Sequence, residues 1–339
     1  MNCPICKNSK VKLIYRQYPG YVENLKYEIY NCDRCNTNFV FPNEANRKLY
    51  DLIYSDKKTP GTYISHLKLA KRIKSLKNPL RFLLNYSHTY YPIINYLKGV
   101  NSKDLDILEI GCGYGYLTYA LNLKGYRAIG IDVSEVAIKF ALENFGQYFF
   151  KADIDEFITN INKDLNKKFD LIIAIEVIEH LSNPVDFIVK CFSILKEKGR
   201  LILTTPNKSY YPKNSIWRTD LPPVHLYWFS CNSFEYIAKA YNLNISFTNF
   251  KNYISFYEEE NKLVNYILSR IKKESIPDPI FREEGEPNPV VFARKSIIKR
   301  FLKFLINIKP IKYLSNLFYI LFFRKINHYF TLGIILWKK

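Results

Sequence analysis

Between residues 105 and 123 the chain has little freedom of architecture. An apolar run, LDILEI over 105–110, stops at Gly111-Cys112-Gly113-Tyr114-Gly115, and helical spacing follows from Tyr116 to Leu123. A short apolar run bounded by polar residues reads as a parallel strand buried on both faces. A strand, a glycine turn and a helix open a doubly wound sheet. The glycines let the backbone approach a ligand closely. Their spacing is Gly-x-Gly-x-Gly and lacks the Gly-x-Gly-x-x-Gly pattern of a pyrophosphate loop. Glu109, just ahead of the loop, would repel a phosphate and suits a cationic ligand instead.

Further strands follow at the same rhythm. AIGI over 128–131 ends at Asp132, a strand-tip carboxylate able to accept two ribose hydroxyls. FFKA over 149–152 leads to Asp153-Ile154, and FDLIIAI over 169–175 leads to Glu176-Val177-Ile178-Glu179-His180-Leu181. A helix over 183–195 and a strand over 199–204 complete another step. Alternation of this kind predicts a parallel sheet with helices on both faces. A helix over 230–241, with Ser230 or Asn232 as its cap, and a strand over 243–250 are expected next. A final antiparallel strand is expected over 332–337 (LGIILW) rather than over 289–293 (PVVFA).

In order and spacing, LEIGCGYG (108–115), GIDVS (130–134), ADI (152–154), FDLIIAIEVIEHL (169–181) and LKEKGRLILTTPN (195–207) resemble a class I S-adenosylmethionine-dependent methyltransferase. They are most similar to the branch of the ubiquinone-biosynthesis O-methyltransferases. The resemblance implies an α/β fold, a doubly wound Rossmann-like seven-stranded sheet ending in an antiparallel strand. It implies that Glu109 and the backbone of Gly111, Gly113 and Gly115 meet the methionine part of the cofactor. Asp132 would hold the ribose, and Asp153 with Ile154 would flank the adenine. Cys112, Val133 and Ile175 complete the expected cofactor-binding set.

His180 follows the fourth strand, at the carboxyl edge where such sheets bind ligands. Imidazole titrates near neutrality, which suits a base for an oxygen nucleophile. His225, in PPVHLYWFS (222–230), is a second candidate on the same edge. Glu176, Glu179, His180 and His225 together resemble the divalent-metal site of small-RNA 2′-O-methyltransferases. Such a set leaves positions open for a substrate hydroxyl. Three readings therefore stand: a divalent metal at these four residues; His180 as a base or substrate ligand without metal; or a structural role, with Glu176 capping the following turn and His225 satisfying a loop carbonyl.

Cys3-Pro4-Ile5-Cys6 and Cys32-Asp33-Arg34-Cys35 form two Cys-x-x-Cys pairs. Two such knuckles close a four-thiolate structural zinc site, and the apolar stretches between them read as short strands of a zinc ribbon. The expected layout is a zinc ribbon over 1–42, a basic helical linker or lid over 43–104, a cofactor-binding core over 105–255, and a helical insertion with the final strand over 256–339. Within the lid, helical spacing runs over 44–54, 66–76 and 91–97.

The charge is uneven. Residues 1–104 hold 18 Lys+Arg against 7 Asp+Glu, residues 105–286 hold 21 against 24, and residues 287–339 hold 11 against none. The excess at both ends points to an anionic partner. The basic amphipathic stretch 296–325 could lie on an anionic membrane or pack on the sheet with a solvated face. Met1-Asn2-Cys3-Pro4 opens no signal peptide, and no run reaches 18 apolar residues, so a cytoplasmic protein, at most peripheral to the membrane, is expected. The expected activity is O-methylation of a small-molecule, sugar, glycan or lipid-linked acceptor. An RNA methyltransferase and a catalytically silent zinc-ribbon binding protein are the alternatives.

Overall fold

The computed structural model describes residues 1–46, 49, 53, 61–100, 104–210, 216, 220–250, 253, 279–282 and 331–339. The basic stretch 296–325, the alternative last strand over 289–293, most of the expected 44–54 helix and nearly all of the expected helical insertion lie outside these residues.

The N-terminal strands β1 (Lys12–Pro19), β2 (Lys26–Cys32) and β3 (Thr37–Phe41) form an antiparallel ribbon. The cysteine knuckles sit at one end of it. Three helices follow: α1 (Gly61–Ile73), α2 (Pro79–Tyr86) and α3 (Tyr91–Lys98). Asn78 caps α2 by accepting from the Arg81 N–H, and Pro79 opens its first turn, where no donor is lost.

The core then alternates: β4 (Asp106–Ile110), α4 (Tyr116–Leu123), β5 (Arg127–Asp132), α5 (Glu135–Phe145), β6 (Phe149–Lys151), β7 (Phe169–Ile175), α6 (Pro184–Ile194) and β8 (Leu195–Pro206). Strand β9 (Tyr227–Trp228), helix α7 (Cys231–Ala240), β10 (Leu243–Phe247) and β11 (Thr331–Lys338) complete it. The large sheet has the order β10-β11-β8-β7-β4-β5-β6. Its strands β4 to β8 are parallel, and β11 runs antiparallel to both β8 and β10. The seven-stranded sheet with an antiparallel last strand is thus present, and that strand contains 332–337.

Residue parity sorts the two faces of this sheet. Ile107, Leu171, Ile173 and Ile202 pack with Leu117, Leu121, Ala137 and Ala141 of α4 and α5, and with Leu69, Ile73, Leu83 and Ile93 of the lid helices. Their neighbours Leu108, Ile172, Ala174, Leu201 and Leu203 face the other way, towards Phe187, Ile188 and Cys191 of α6 and Phe234 of α7. Side chains alternate along a strand, so runs apolar at every position are what a sheet covered on both faces requires.

The ribbon is continuous with the second face. Strand β9, from the loop that follows β8, pairs antiparallel with β3 and becomes the fourth strand of the ribbon sheet. The four cysteines share one apolar cluster with Phe39, Tyr227, Trp228 and Phe234. Thr37 Oγ1 donates to Ser233 Oγ (2.8 Å), Lys208 Nζ donates to Asn36 Oδ1 (2.7 Å), and the Arg34 guanidinium lies 5.2 Å from the Tyr236 ring centroid. Among the described residues no helix is long and apolar enough to cross a membrane.

Candidate active site

The carboxyl ends of β4, β5 and β7 converge on one edge of the sheet. The loop after β4 turns on three glycines with φ of 72°, 51° and 77° at Gly111, Gly113 and Gly115. A Cβ at Gly115 would lie 2.6 Å from Phe149 Cε1, and one at Gly111 would strike Val177. Left-handed φ and close neighbours together require glycine at both positions. The Gly111 and Cys112 N–H groups donate to Ile131 O (2.8 and 3.0 Å), which fastens the loop to the end of β5.

Asp132 is buried at that end. Its Oδ2 accepts from the Gly113 N–H and its Oδ1 from the Ser134 N–H, both at 2.8 Å. A carboxylate offers about four acceptor positions, the number that lets one strand-tip acid serve both loop N–H groups and ligand hydroxyls. Ser134 also caps α5 through the Ala137 N–H. Val133, between them, is half-buried.

Glu109 is 5% exposed and takes a short hydrogen bond from the Thr118 hydroxyl, one turn into α4. Burial pushes its carboxyl up to about 8, helped by the Asp132 charge and opposed by Thr118. Cys112 is buried beside it, its thiol raised by burial. Asp153 closes a capping box with Glu156: its Oδ1 accepts from the Glu156 N–H (2.9 Å) while Glu156 Oε2 accepts from its own N–H (3.0 Å). Ile154 is buried behind it, and Ile175 ends β7. The expected cofactor residues thus line one sheet edge. Glu109, Asp132 and the glycine-loop backbone are the groups able to hold a ligand's cationic and hydroxyl parts there.

The second group lies past β7. Glu176 has a φ of 52°, and its N–H donates to Thr204 O (3.0 Å). A left-handed non-glycine residue is strained and often marks a functional turn. Burial, with the Asp220 charge, raises its carboxyl to about 7. Glu179 is 0% exposed, and neither of its side-chain oxygens has a hydrogen-bond partner among the described residues. Burial and the Glu176 charge raise it well above the carboxylate range, opposed only weakly by its own backbone N–H and by the Thr205 hydroxyl, neither of which is aligned well enough to be a hydrogen bond. The His180 Nε2 lies 3.9 Å from Glu179 Oε1, and its Nδ1 is hydrogen-bonded to Val224 O. His225 stands edge-on to it, ring centroids 4.6 Å apart, with a buried Nδ1 that lacks a partner among the described residues. Burial lowers both imidazoles to about 3.

One ligand atom each from Glu179, His180 and His225 lie within 4.8 Å of one another. A buried acid with no well-aligned donor among the described residues, facing two nitrogen ligands of which one is oriented through its far nitrogen by a carbonyl, is a donor set that fits a divalent cation. Glu176 falls outside that close set. Asp220, buried and acting on Glu176, Glu179 and His180, was not singled out in the sequence. Its signal was weak: one carboxylate five residues before His225. Thr118 was missed as well, and so was a hydrogen-bonded row beside the loop, His66 Nδ1 to Tyr116 OH (2.8 Å) to Tyr90 OH (2.5 Å).

The four ribbon cysteines come together as expected, with Sγ separations of 3.6 Å for Cys3–Cys35 and 3.4 Å for Cys6–Cys32. A tetrahedron with Zn–S bonds of about 2.3 Å has S–S edges of about 3.8 Å. All four are buried, and the Cys3–Cys35 hydrogen bond lowers the first thiol and raises the second. The set fits zinc.

Residues 82–246 match a family described as a methyltransferase domain. The chain is 32% identical over 139 residues to the ubiquinone biosynthesis O-methyltransferase of Rickettsia bellii (strain OSU 85-389), covering 39% of this chain and 52% of that one. It is 35% identical over 120 residues to the mitochondrial ubiquinone biosynthesis O-methyltransferase of Rattus norvegicus, covering 34% of each. The chain spans about half the length, or less, of these curated relatives. A solved S-adenosylmethionine-dependent methyltransferase from Archaeoglobus fulgidus aligns with a TM-score of 0.44 at 19% identity, over 82% of this chain and 99% of that one. The domain over residues 82–246 is thus a class I S-adenosylmethionine-dependent methyltransferase domain, similar to those of the ubiquinone-biosynthesis O-methyltransferases.

Proposed function

We propose that this chain O-methylates a small-molecule hydroxyl, and that Glu179, His180 and His225 form a divalent-cation site beside which that hydroxyl is placed. The observation that carries the reading is Glu179: a fully buried acid whose two oxygens have no hydrogen-bond partner among the described residues, facing two imidazoles at the cofactor edge of the sheet. Such a group is costly to bury unless something cationic pairs with it.

S-adenosylmethionine brings a sulfonium-borne methyl group for in-line displacement. The chain binds and orients it. Glu109, once ionised, faces the cationic amino-acid part, Asp132 accepts from the ribose hydroxyls, and Asp153 with Ile154 borders the adenine. A divalent cation, when held, lowers the pKa of a coordinated hydroxyl. Glu176, with a carboxyl near 7, is matched to take the acceptor proton on Oε1 at neutral pH. The imidazoles, held low by burial, suit ligation better than proton transfer. Zinc at the four cysteines leaves no open position and is structural.

The relatives' names make a phenolic hydroxyl the first acceptor to try, with sugar and lipid-linked hydroxyls next. The test is S-adenosylhomocysteine formation over a panel of phenols, nucleotide sugars and short RNAs, with and without Mg²⁺ or Mn²⁺. The expected result is cation-dependent turnover of a small molecule, reduced at least 100-fold by Glu179→Gln or His225→Ala. Full turnover after chelation, with the ribbon zinc still bound, removes the cation. Failure to bind S-adenosylmethionine in calorimetry overturns the whole reading.

A further inference from the structure

Strand β9 is two residues long, and among the described residues its strand partner is β3 of the ribbon, with an isolated Asn207–Phe229 bridge just past its end. Isolated pairing of that length is not stable by itself. His225 lies just before β9, so what fixes β9 also fixes His225. Leu226, the next residue, is held from both sides: its N–H donates to Glu179 O (2.8 Å), and its O accepts from the Val40 N–H of β3 (3.0 Å). One peptide segment therefore ties the ribbon to two of the three close ligand residues.

A second tie reaches the third. Tyr227 OH donates to Ser182 O (3.1 Å), two residues past His180, and accepts from Asn43 Nδ2 (2.6 Å) at the end of the ribbon. Asn43 also donates to Ser182 O (3.1 Å), and the Ala45 N–H donates to Ser182 Oγ (3.1 Å). On the far side of β9, Ser233 Oγ donates to Cys35 O (3.2 Å), which places a zinc-knuckle carbonyl against the first turn of α7. A ribbon of about 40 residues buries too little surface to hold its shape without its metal. Whatever loosens the knot therefore loosens β3, then Leu226 and Tyr227.

We infer that the four-cysteine knot positions the His225 arm, with Val40, Asn43 and Tyr227 as positioning residues, so that loss of its zinc disorders the Glu179–His180–His225 cluster and leaves the cofactor pocket intact. The inference rests on the cluster reading for its effect on catalysis, though not for its effect on structure. The cofactor pocket is built on β4, β5 and α4, none of which uses the ribbon for its strand pairing. Coupling of this kind is reciprocal: docking of the arm stabilises the knuckles.

The test uses the full chain, zinc-loaded, zinc-stripped by a thiol-directed mercurial, and zinc-loaded with Asn43→Ala or Tyr227→Phe. Hydrogen exchange is read by mass spectrometry, S-adenosylhomocysteine affinity by calorimetry, and Mn²⁺ affinity by electron paramagnetic resonance. Stripping should raise exchange over 177–183 and 221–229 and leave 105–132 unchanged, with S-adenosylhomocysteine affinity within twofold. The two variants should weaken Mn²⁺ about tenfold and lower kcat more than they raise KM. Unchanged protection over 221–229 after stripping overturns the inference. Equal loosening of 105–132 also overturns it, because the knot would then be a global stabiliser. If Mn²⁺ never binds, the cluster reading fails, and the exchange pattern still decides this one.

Discussion

Glu109 shows how one side chain couples fold, proton and ligand. Its carboxyl sits at about 8 because burial penalises the charge, which the hydrogen bond from Thr118 offsets only in part. The native value lies above the ordinary 4.5, so the folded chain holds more protons between those values. This group's stabilising contribution is therefore complete at low pH and is lost as pH rises towards 8, at about 1.4 kcal/mol per unit. A cationic ligand reverses the preference by favouring the carboxylate. Binding of S-adenosylmethionine at pH 7 should release a proton, and affinity should rise with pH and level off above about 8. Calorimetry in two buffers of different ionisation enthalpy measures the release. Glu109→Gln should abolish it, weaken binding at least tenfold, and flatten the pH dependence of the unfolding midpoint. A mutant that still releases a full proton removes Glu109 from the site.

Among elements, the turn into α4 carries the tightest backbone demand. Gly115 combines a φ of 77° with a Cβ position 2.6 Å from Phe149 and 2.8 Å from Ala141 Cβ. Gly115→Ala should cost more than about 2 kcal/mol in denaturant unfolding, since backbone strain and overpacking add. It should also weaken cofactor binding, because the Asp132–Gly113 hydrogen bond lies in the same turn. Capping is milder. Ser134→Ala removes one acceptor from the first turn of α5 and should cost about 1 kcal/mol. If Gly115→Ala costs no more than Ser134→Ala, the left-handed turn is not what holds the loop.

Across the whole molecule the two sheet edges divide the work. At the carboxyl edge, buried acids are raised. At the opposite edge Asp106 is lowered to about 2, chiefly by Arg127 and also by Lys196, with Lys196 bridging to Asp170 as well. The native value lies below the ordinary 3.8, so this contribution is present near neutrality and is lost as pH falls towards 2. Asp106→Asn should cost about 1–2 kcal/mol at pH 7, and the gap to the parent should close near pH 2 while cofactor affinity stays unchanged. A gap that persists in acid would assign the loss to packing. The basic excess, in the described part, is partly a surface of the lid: Lys68, Lys71, Arg72, Lys74, Lys77 and Arg81 are all exposed on or between α1 and α2.

Local pattern went far because a parallel sheet covered on both faces leaves a simple record. Apolar runs must recur, each must end at a turn, and the glycines at 111, 113 and 115 cannot be replaced where φ is positive. The cysteine pairs were legible for a similar reason, since a four-thiolate site needs two knuckles and little else. The cluster was only half legible. Glu176, Glu179 and His180 are neighbours in the chain, yet which of them meet His225 depends on how the strained turn at Glu176 aims each side chain, and the close set takes Glu179 and His180. The ribbon's strand partner was not legible at all. Tyr227–Trp228 is too short to declare itself a strand, and its pairing with β3 arises only when the chain closes across nearly 190 residues. Periodicity and spacing record local demands, whereas a contact between distant segments exists only after both have folded against the same core.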